Sequence, residues 1–285
     1  MSAEHIIPEN ALYLVGTPIG NLSDISARAV ETLASVDFIA AEDTRNSLKL
    51  LTHFGIKKPL VSYYEHNKRE HGQIICKRIA DGESCALITD AGMPAISDPG
   101  EDIVALCSEL GIKVYAVPGP SAVVTAAALS GLPVGRFCFE GFLSTNKTDR
   151  KEHLESLLGE KRTMIFYEAP HKLKKTLEDL EAYFGAKRRL SLCREITKIH
   201  EEVIRTTVGG AVKLYEDVEP KGEYVLVLEG AKDVKEEHFW DALTKEQHVA
   251  YYVESGMTKN EAIKAAAHDR GIPKSELYAE ICKNK

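Results

Sequence analysis

The chain has 285 residues, 44% hydrophobic and 28% charged, the composition of a globular protein large enough for one large or two medium domains, and two are expected. No uninterrupted apolar stretch approaches the ~18 residues of a membrane span, and the first dozen residues, with Glu4, His5, Pro8 and Glu9, lack a signal peptide's basic and apolar regions; a cytoplasmic protein without a membrane partner is expected. A formal net charge of −7 argues against nonspecific coating of nucleic acid but leaves room for a local basic face.

Apolar runs alternate with amphipathic stretches from Leu12 onward, the signature of βα repeats and a mostly parallel sheet. Strands are expected near Leu12–Val15, Phe38–Ala41, Leu60–Ser62, Cys85–Thr89 and Lys113–Val117. Helices are expected to begin near Ser26, Thr44, Asn67 and Pro99, with Gly55, Gly82 and Gly111 ending three of them. These elements make a first α/β domain, residues 1–118. A helix over Ser121–Leu129 leads into a second α/β domain, residues 119–230, with strands near Phe137–Phe139, Thr163–Tyr167, Leu190–Cys193, Glu202–Thr206 and Tyr224–Leu228. Its helices are expected over Lys151–Leu158, His171–Phe184 and Gly209–Tyr215. Residues 231–285 read as a small helical module with turns at Ser255–Lys259 and Arg270–Lys274. Thr258–Lys285 loosely fits a helix-turn-helix outline, but Lys232–Lys285 holds nine lysines and arginines against ten acids, which favours a packing or dimerisation module over a basic reading head. The six cysteines (Cys76, Cys85, Cys107, Cys138, Cys193 and Cys282) are scattered, none in a C-x-x-C pair. They suggest buried reduced thiols and neither a metal site nor a disulfide framework.

Three Gly/Pro loops follow strands in the first half: Gly16–Asn21 (G-T-P-I-G-N), Thr89–Gly100 (T-D-A-G-M-P-A-I-S-D-P-G) and Val117–Ala122 (V-P-G-P-S-A). Ligands of open α/β sheets bind outside the carboxyl ends of the strands, where such loops bring backbone close to a small molecule. Gly16 after the first strand and Glu42-Asp43 after the second invite a dinucleotide site, but G-x-P-x-G-N lacks the third glycine of G-x-G-x-x-G, and Pro18 removes an N–H that a pyrophosphate uses. No G-x-x-x-x-G-K-[ST] occurs either. A cleft for a cofactor without phosphates remains.

Gly16–Leu22, Ala41–Arg45 (A-E-D-T-R), Ser62–Asn67 (S-Y-Y-E-H-N), Thr89–Gly100, Pro118–Ala122 and Phe166–His171 (F-Y-E-A-P-H) together resemble the ribosomal RNA small subunit methyltransferase I family of the tetrapyrrole methylase superfamily. P-G-P-S-A and D-A-G-x-P are common to the superfamily, whereas E-D-T-R and Y-x-E-H-N point to the RNA-modifying branch. The resemblance implies two α/β domains with S-adenosyl-L-methionine in the cleft between them, usually a homodimer. The implied reaction is methyl transfer to the ribose 2′-hydroxyl of a cytidine in the decoding region of small-subunit rRNA, free or in the small ribosomal subunit. It further implies that Pro18, Asp90, Ala91, Gly92, Ile96, Ser97, Asp98, Ser121 and Ala122 line the cofactor. Tyr167, Glu168, Arg194, Gly222 and Glu223 are expected at strand ends facing the same cleft.

A ribose hydroxyl is a weak nucleophile, so its proton must leave during or before transfer. Possible bases follow three strands: Glu42 with Arg45, His66 with Asn67, and Glu168 with His171 in the second domain. The candidates for that site are Glu42, Arg45, His66 and Asn67: His66 or Glu42 as base, Arg45 and Asn67 positioning the nucleotide. The structural alternatives are helix capping for the E-D-T-R string and a loop histidine beside a cap for His66. Arg194, Glu195 and Lys198 read more simply as a solvated salt-bridged strand end. For RNA grip, Lys57–Arg78 carries six lysines and arginines against two acids and Gly141–Arg189 eleven against eight. Lys147, Arg150, Lys151, Lys172, Lys174 and Lys175 count as phosphate contacts only if they share a face beside the cleft. The competing functions are a tetrapyrrole methyltransferase and a noncatalytic nucleotide-binding regulator.

Overall fold

The computed structural model describes residues 10–232 and 239–283. Up to Ala231 the chain forms one compact unit holding two five-stranded sheets; from Lys232 it forms a second, helical unit.

The first sheet is built from β1 (Ala11–Val15), β2 (Phe38–Ala41), β3 (Leu60–Ser62), β4 (Cys85–Ile88) and β5 (Lys113–Val117), all parallel, in the order β3-β2-β4-β1-β5. Both β2 and β4 are buried at every residue, because helices cover both faces. On one face Tyr13, Val15, Ile39 and Ile88 pack under α1 (Ala27–Ser35) and α2 (Thr44–His53) through Leu33 and Leu51. On the other Leu12, Phe38, Cys85 and Leu87 meet Ile75 and Ile79 of α3 (Lys68–Ala80) and Ile103 of α4 (Gly100–Glu109). The period-2 alternation of the strands thus feeds two separate core layers. Cys76, Cys85, Cys107 and Cys193 are buried thiols, and Cys138 is half-buried; the Cys282 side chain lies outside the described residues.

The helix α5 (Ala122–Ser130) leads to the second sheet, made by β6 (Phe137–Phe142), β7 (Thr163–Glu168), β8 (Arg189–Arg194), β9 (Glu202–Thr207) and β10 (Tyr224–Leu228). Its order is β6-β7-β10-β8-β9. Here the expected mostly parallel arrangement does not hold: only β6 and β7 run parallel, and the other three pairings are antiparallel. The cause is the 195–201 connection, which joins β8 to β9 without a helix and so forces a hairpin, whereas a parallel neighbour needs a long crossover. The helices α6 (Lys147–Ser156), α7 (Pro170–Phe184) and α8 (Val208–Tyr215) cover one face through Leu154, Leu173, Leu177 and Val208. On the other face α5 lays Val123, Ala126 and Ala127 against Ile165, Cys193, Val225 and Val227.

Two boundaries move for local reasons. β6 continues three residues past Phe139 because the register slips at Glu140 and Gly141 takes φ +66°, a bulge that lets pairing resume with β7. α6 begins at Lys147, four residues before the expected start, because Asn146 caps it by accepting a hydrogen bond from the Thr148 N–H at 2.9 Å.

The helical unit contains α9 (Lys245–Glu254), α10 (Lys259–Asp269) and α11 (Lys274–Lys283) around Val249, Ile263, Ala266 and Leu277. Thr244 and Gln247 close a reciprocal capping box at the start of α9. Inside this unit His248 is wholly buried, stacked on Trp240 with ring centroids 5.2 Å apart, and its Nδ1 accepts from Arg270 Nε at 3.1 Å. Burial first, and then the Arg270 charge, hold the His248 pKa below the ordinary histidine value, against the opposing pull of Asp269. The unfolded chain therefore takes the proton more readily than the folded one. The stability contributed by neutral His248 is full above the unfolded value of about 6.5 and is lost as pH falls toward and through the depressed folded value. Fluorescence of Trp240, the only tryptophan in the chain, should report a lower melting temperature at about pH 5.5 than at about pH 7.5; a flat profile would contradict the burial of neutral His248. Among the described residues no helix is long and apolar enough to cross a membrane.

Candidate active site

Because β4, β1 and β5 are neighbours in the first sheet, the three Gly/Pro loops leave side by side from their carboxyl ends. Gly16 N–H donates to Val117 O at 3.0 Å, and Thr17 and Gly92 exchange two backbone hydrogen bonds of 2.9 and 3.1 Å. Gly16 and Gly119 touch backbone to backbone: a Cβ on Gly16 would lie 2.6 Å from Gly119 Cα. The loops form one wall of a cleft of about 570 Å³. Strand ends of the second sheet supply the facing wall.

Most of the expected cofactor residues line this cleft. Asp90, Ala91, Gly92, Ile96, Ser97 and Asp98 come from the loop after β4, and Ser121 and Ala122 from the start of α5. Tyr167 and Glu168 from the end of β7 and Glu223 before β10 face them, and Glu42, at the end of β2, lines the cleft as well. Pro18, Arg45, His66, Asn67, Arg194 and Gly222 are not on its surface. Pro18 sits between Thr17, which is bridged to Gly92, and Ile19, which does line the cleft. Arg194 donates to Lys221 O at 2.8 Å and to Glu202 at 2.9 Å, a salt-bridged strand end. Gly222, with φ +82°, makes room for Glu195, whose Oε1 accepts from Glu223 N–H at 2.9 Å.

Asn67 fastens the turn between β3 and α3: its Oδ1 accepts from Tyr64 N–H at 2.8 Å, and its Nδ2 donates to Ser62 O at 3.2 Å. His66 is exposed on that turn. Arg45 folds back on Asp43 through two hydrogen bonds of 3.2 and 2.9 Å while its side chain stays 87% exposed. Those bonds hold the Asp43 carboxyl down at about 2. Asp43 is the cap of α2, its Oδ1 taking the Arg45 N–H at 2.8 Å.

Several residues in and around the lining were not among the expected cofactor contacts. The Thr89 hydroxyl donates to Glu42 Oε2 at 2.8 Å. Phe139 and Phe142 pack on Tyr167 with ring centroids 4.9 and 5.4 Å away, and the Phe142 side of this wall reaches the cleft only because of the Gly141 bulge. Lys198 reaches the rim from the 195–201 loop and donates to Glu195 and to Glu223, each at 2.8 Å. Its stem packs where a Cβ on Gly20 would be, 2.5 Å from Lys198 Cγ. This clasp joins the loop after β1 to the second sheet.

The cleft is acidic. Glu42, Asp90, Asp98, Glu168 and Glu223 line it, and among the described lining residues Lys198 is the only lysine or arginine. Asp98 Oδ1 accepts from Ala95 N–H at 3.0 Å and Gly100 N–H at 2.7 Å, pinning a loop in which Ala95 and Ser97 hold left-handed φ values of +69° and +65°. Its Oδ2 is buried without a hydrogen-bond partner among the described residues. Such strain and an orphaned carboxylate oxygen cluster where a ligand completes the structure. Glu168 is held by the Ala169 N–H at 2.8 Å and by the Thr176 hydroxyl, itself bonded by Arg150.

The six basic side chains proposed to share a face do not act as one. Arg150 is largely buried against Asp179 at 2.7 Å, Lys175 pairs with Asp179 at 2.9 Å, Lys151 with Glu155 at 3.7 Å and Lys174 with Glu219 at 3.8 Å. Only Lys147 and Lys172 have no ion pair among the described residues. Of the six, Arg150, Lys151 and Lys175 are spent inside and between α6 and α7, and Lys174 pairs outside them.

The family model of the tetrapyrrole (corrin/porphyrin) methylases matches residues 11–212. A ribosomal RNA small subunit methyltransferase I of Halalkalibacterium halodurans is 47% identical over 95% of this chain and 94% of its own. One from Bacillus subtilis is 46% identical over 94% of this chain and 92% of its own. Among solved structures, a diphthine synthase superposes with a TM-score of 0.59 at 17% identity, over 77% of this chain and 90% of its own. A cobalt precorrin-4 methyltransferase superposes with a TM-score of 0.57 at 19% identity, over 78% and 98%. The fold is thus that of a methylase and calls for a methyl donor, and the chain belongs to the ribosomal RNA small subunit methyltransferase I family.

Proposed function

We propose that the cleft binds S-adenosyl-L-methionine and that the protein methylates the ribose 2′-hydroxyl of a cytidine in the decoding region of small-subunit rRNA. The relatives' shared name supports the RNA substrate. The observation that carries the donor is the acidic cleft with the orphaned Asp98 Oδ2. Five carboxylates against one paired lysine repel a phosphate-bearing cofactor and attract a sulfonium and an ammonium group. The residues present therefore fit this donor, and the backbone contact of Gly16 with Gly119 gives it a close wall.

When bound, the donor supplies a methyl carbon already activated by positive sulfur. Asp90 and Asp98 hold its polar donor groups, while Ala91, Gly92, Ile96, Ser97, Ser121 and Ala122 supply close backbone and small side chains. Pro18, by fixing the chain between Thr17 and Ile19, shapes the same bed. Tyr167 with its phenylalanine neighbours closes an apolar wall that keeps water out. Glu168 and Glu223 form the second sheet's side of the cleft, and Gly222 and Arg194 shape it from behind. Glu42 takes the ribose proton: Thr89 fixes its Oε2 and leaves Oε1 for the nucleotide. Arg45, at the mouth, holds a phosphate, and the turn fastened by Asn67 presents His66 to the RNA.

We infer that residues 1–118 and 119–230 act as two domains sharing this cleft, with 231–285 appended. We also infer a homodimer. Exposed Tyr115 on the edge strand β5 and Val124, 60% exposed on α5, offer apolar surface for a second copy. Transfer of labelled methyl from S-adenosyl-L-methionine to small ribosomal subunits lacking this modification tests the activity, and light scattering of the same preparation should give twice the 31.4 kDa chain mass. No incorporation into subunits or free rRNA overturns the proposed reaction.

A further inference from the structure

A second concavity, of about 530 Å³, lies at the far end of α2 from the cleft. Leu48, Leu51, Ile56 and Pro59 give it apolar walls, and Lys57 and Lys58 stand beside them. Leu48 is 57% exposed, so this surface is not closed by the chain's own core. The stretch from Thr44 to Tyr64 contains no aspartate or glutamate, although the chain carries a net charge of −7. Arg45, Lys49 and His53 are exposed at i, i+4 and i+8, one face of α2, and exposed Lys57 continues the line. Lys49, Lys57 and Lys58 form no ion pair among the described residues. Asp37 faces Lys58 only at a distance, because Ser84 N–H and Oγ each bond its carboxylate at 2.7 Å. The strip starts at the cleft: Asn46 Nδ2 donates to Asp90 Oδ2 at 3.5 Å, and Glu42 lines the cleft just before α2. The ten residues of α2 span about 15 Å, and the groove opens along their second half, from Leu48 onward.

We propose that the exposed face of α2 is the track of a single RNA strand and that the groove receives a nucleobase flanking the methylated nucleotide. Lys57 and Lys58 hold the two phosphates that flank that nucleotide, one each, and Lys49 and Arg45 hold those between it and the cleft. The inference rests on the RNA reading above. An apolar groove with a few fixed cations suits a flat base and its phosphate. The acid-free face, continuous with an acidic cleft that repels phosphates, keeps the backbone outside while one ribose enters.

Binding of a ten-nucleotide oligouridine, followed by fluorescence anisotropy across a salt series, tests this. In single-stranded nucleic acid each lost phosphate contact lowers the slope of log K against log salt by about 0.7, so Lys57→Ala/Lys58→Ala should lower it by about 1.4. The same double variant should raise KM for small subunits while affinity for S-adenosylhomocysteine stays unchanged. Leu48→Glu should weaken oligouridine binding by blocking the groove, and Lys113→Ala, on the opposite edge strand, should leave the slope alone. Unchanged slope and KM in both groove variants overturn the track, whatever the wild type methylates. A lowered slope in a protein that methylates no RNA keeps the track and overturns the proposed reaction instead.

Discussion

Gly16→Ala should destabilise the protein by about 1–3 kcal/mol and weaken donor binding more than tenfold. A Cβ at Gly16 meets Gly119 Cα at 2.6 Å, Gly119 N at 2.7 Å and Met93 Sδ at 2.7 Å, and two of these atoms are backbone that has nowhere to go. The methyl group must push the loop after β1 away from the loop after β5. Those strands pair along their whole length and Gly16 N–H still bonds Val117 O, so relief falls on the loops. Both shape the cleft wall. Chemical denaturation should show a lower midpoint with unchanged slope, and calorimetric titration with S-adenosylhomocysteine should report the lost affinity. Gly119→Ala opposes the same contact, since its Cβ would lie 2.8 Å from Gly16 Cα, so the double variant should cost less than the sum of the singles. Gly135→Ala, where a Cβ meets nothing within 4 Å, serves as the control and should stay within about 0.5 kcal/mol. Wild-type stability and donor affinity in Gly16→Ala would show that the loop contact does not hold the cleft.

The centre of the first sheet is legible in the sequence because helices cover both of its faces, leaving β2 and β4 buried at every residue. Phe38–Ala41, Leu60–Ser62 and Lys113–Val117 stand where uninterrupted short runs put them. Strand direction in the second sheet is not written in such runs. An apolar stretch reads the same parallel or antiparallel, and only the missing helix between Arg194 and Glu202 carries the information. The cleft's first wall is legible for a related reason: Gly and Pro mark strand-end loops, and the sheet order then makes those of β4, β1 and β5 adjacent. Its second wall depends on long-range pairing. Phe142 is there because Gly141 bulges, and Lys198 because its loop packs over Gly20. Charge counting misled along Gly141–Arg189. The Lys151–Glu155 and Lys175–Asp179 pairs are i,i+4 neighbours that spacing reveals, but Arg150 finds Asp179 only when α6 packs on α7.

The same distinction between what a loop shapes and what a side chain does separates the two candidate bases by experiment. Glu42→Gln should lower the single-turnover methylation rate by about 10²–10⁴ while leaving donor affinity within a few fold. Glutamine keeps the length of the side chain and an oxygen that accepts the Thr89 hydroxyl now 2.8 Å from Oε2, so the cleft keeps its shape and loses only a proton acceptor. His66 was the equal candidate by sequence, yet it stands exposed on the turn after β3, outside the cleft lining, with the Tyr64 ring 6.3 Å away and no hydrogen-bonded partner among the described residues to fix its ring. A base must reach the proton within hydrogen-bond distance in the assembled complex, and a side chain pinned by a neighbour inside the cleft is better placed than a free one outside it. His66→Ala should therefore act mainly on KM for RNA and leave the single-turnover rate at saturating RNA within a few fold. Thr89→Val, which frees Glu42 without removing it, should cost about tenfold through misorientation. If Glu42→Gln retained the wild-type rate while His66→Ala lost it, the roles would be exchanged and the turn after β3 would have to close over the cleft when RNA binds.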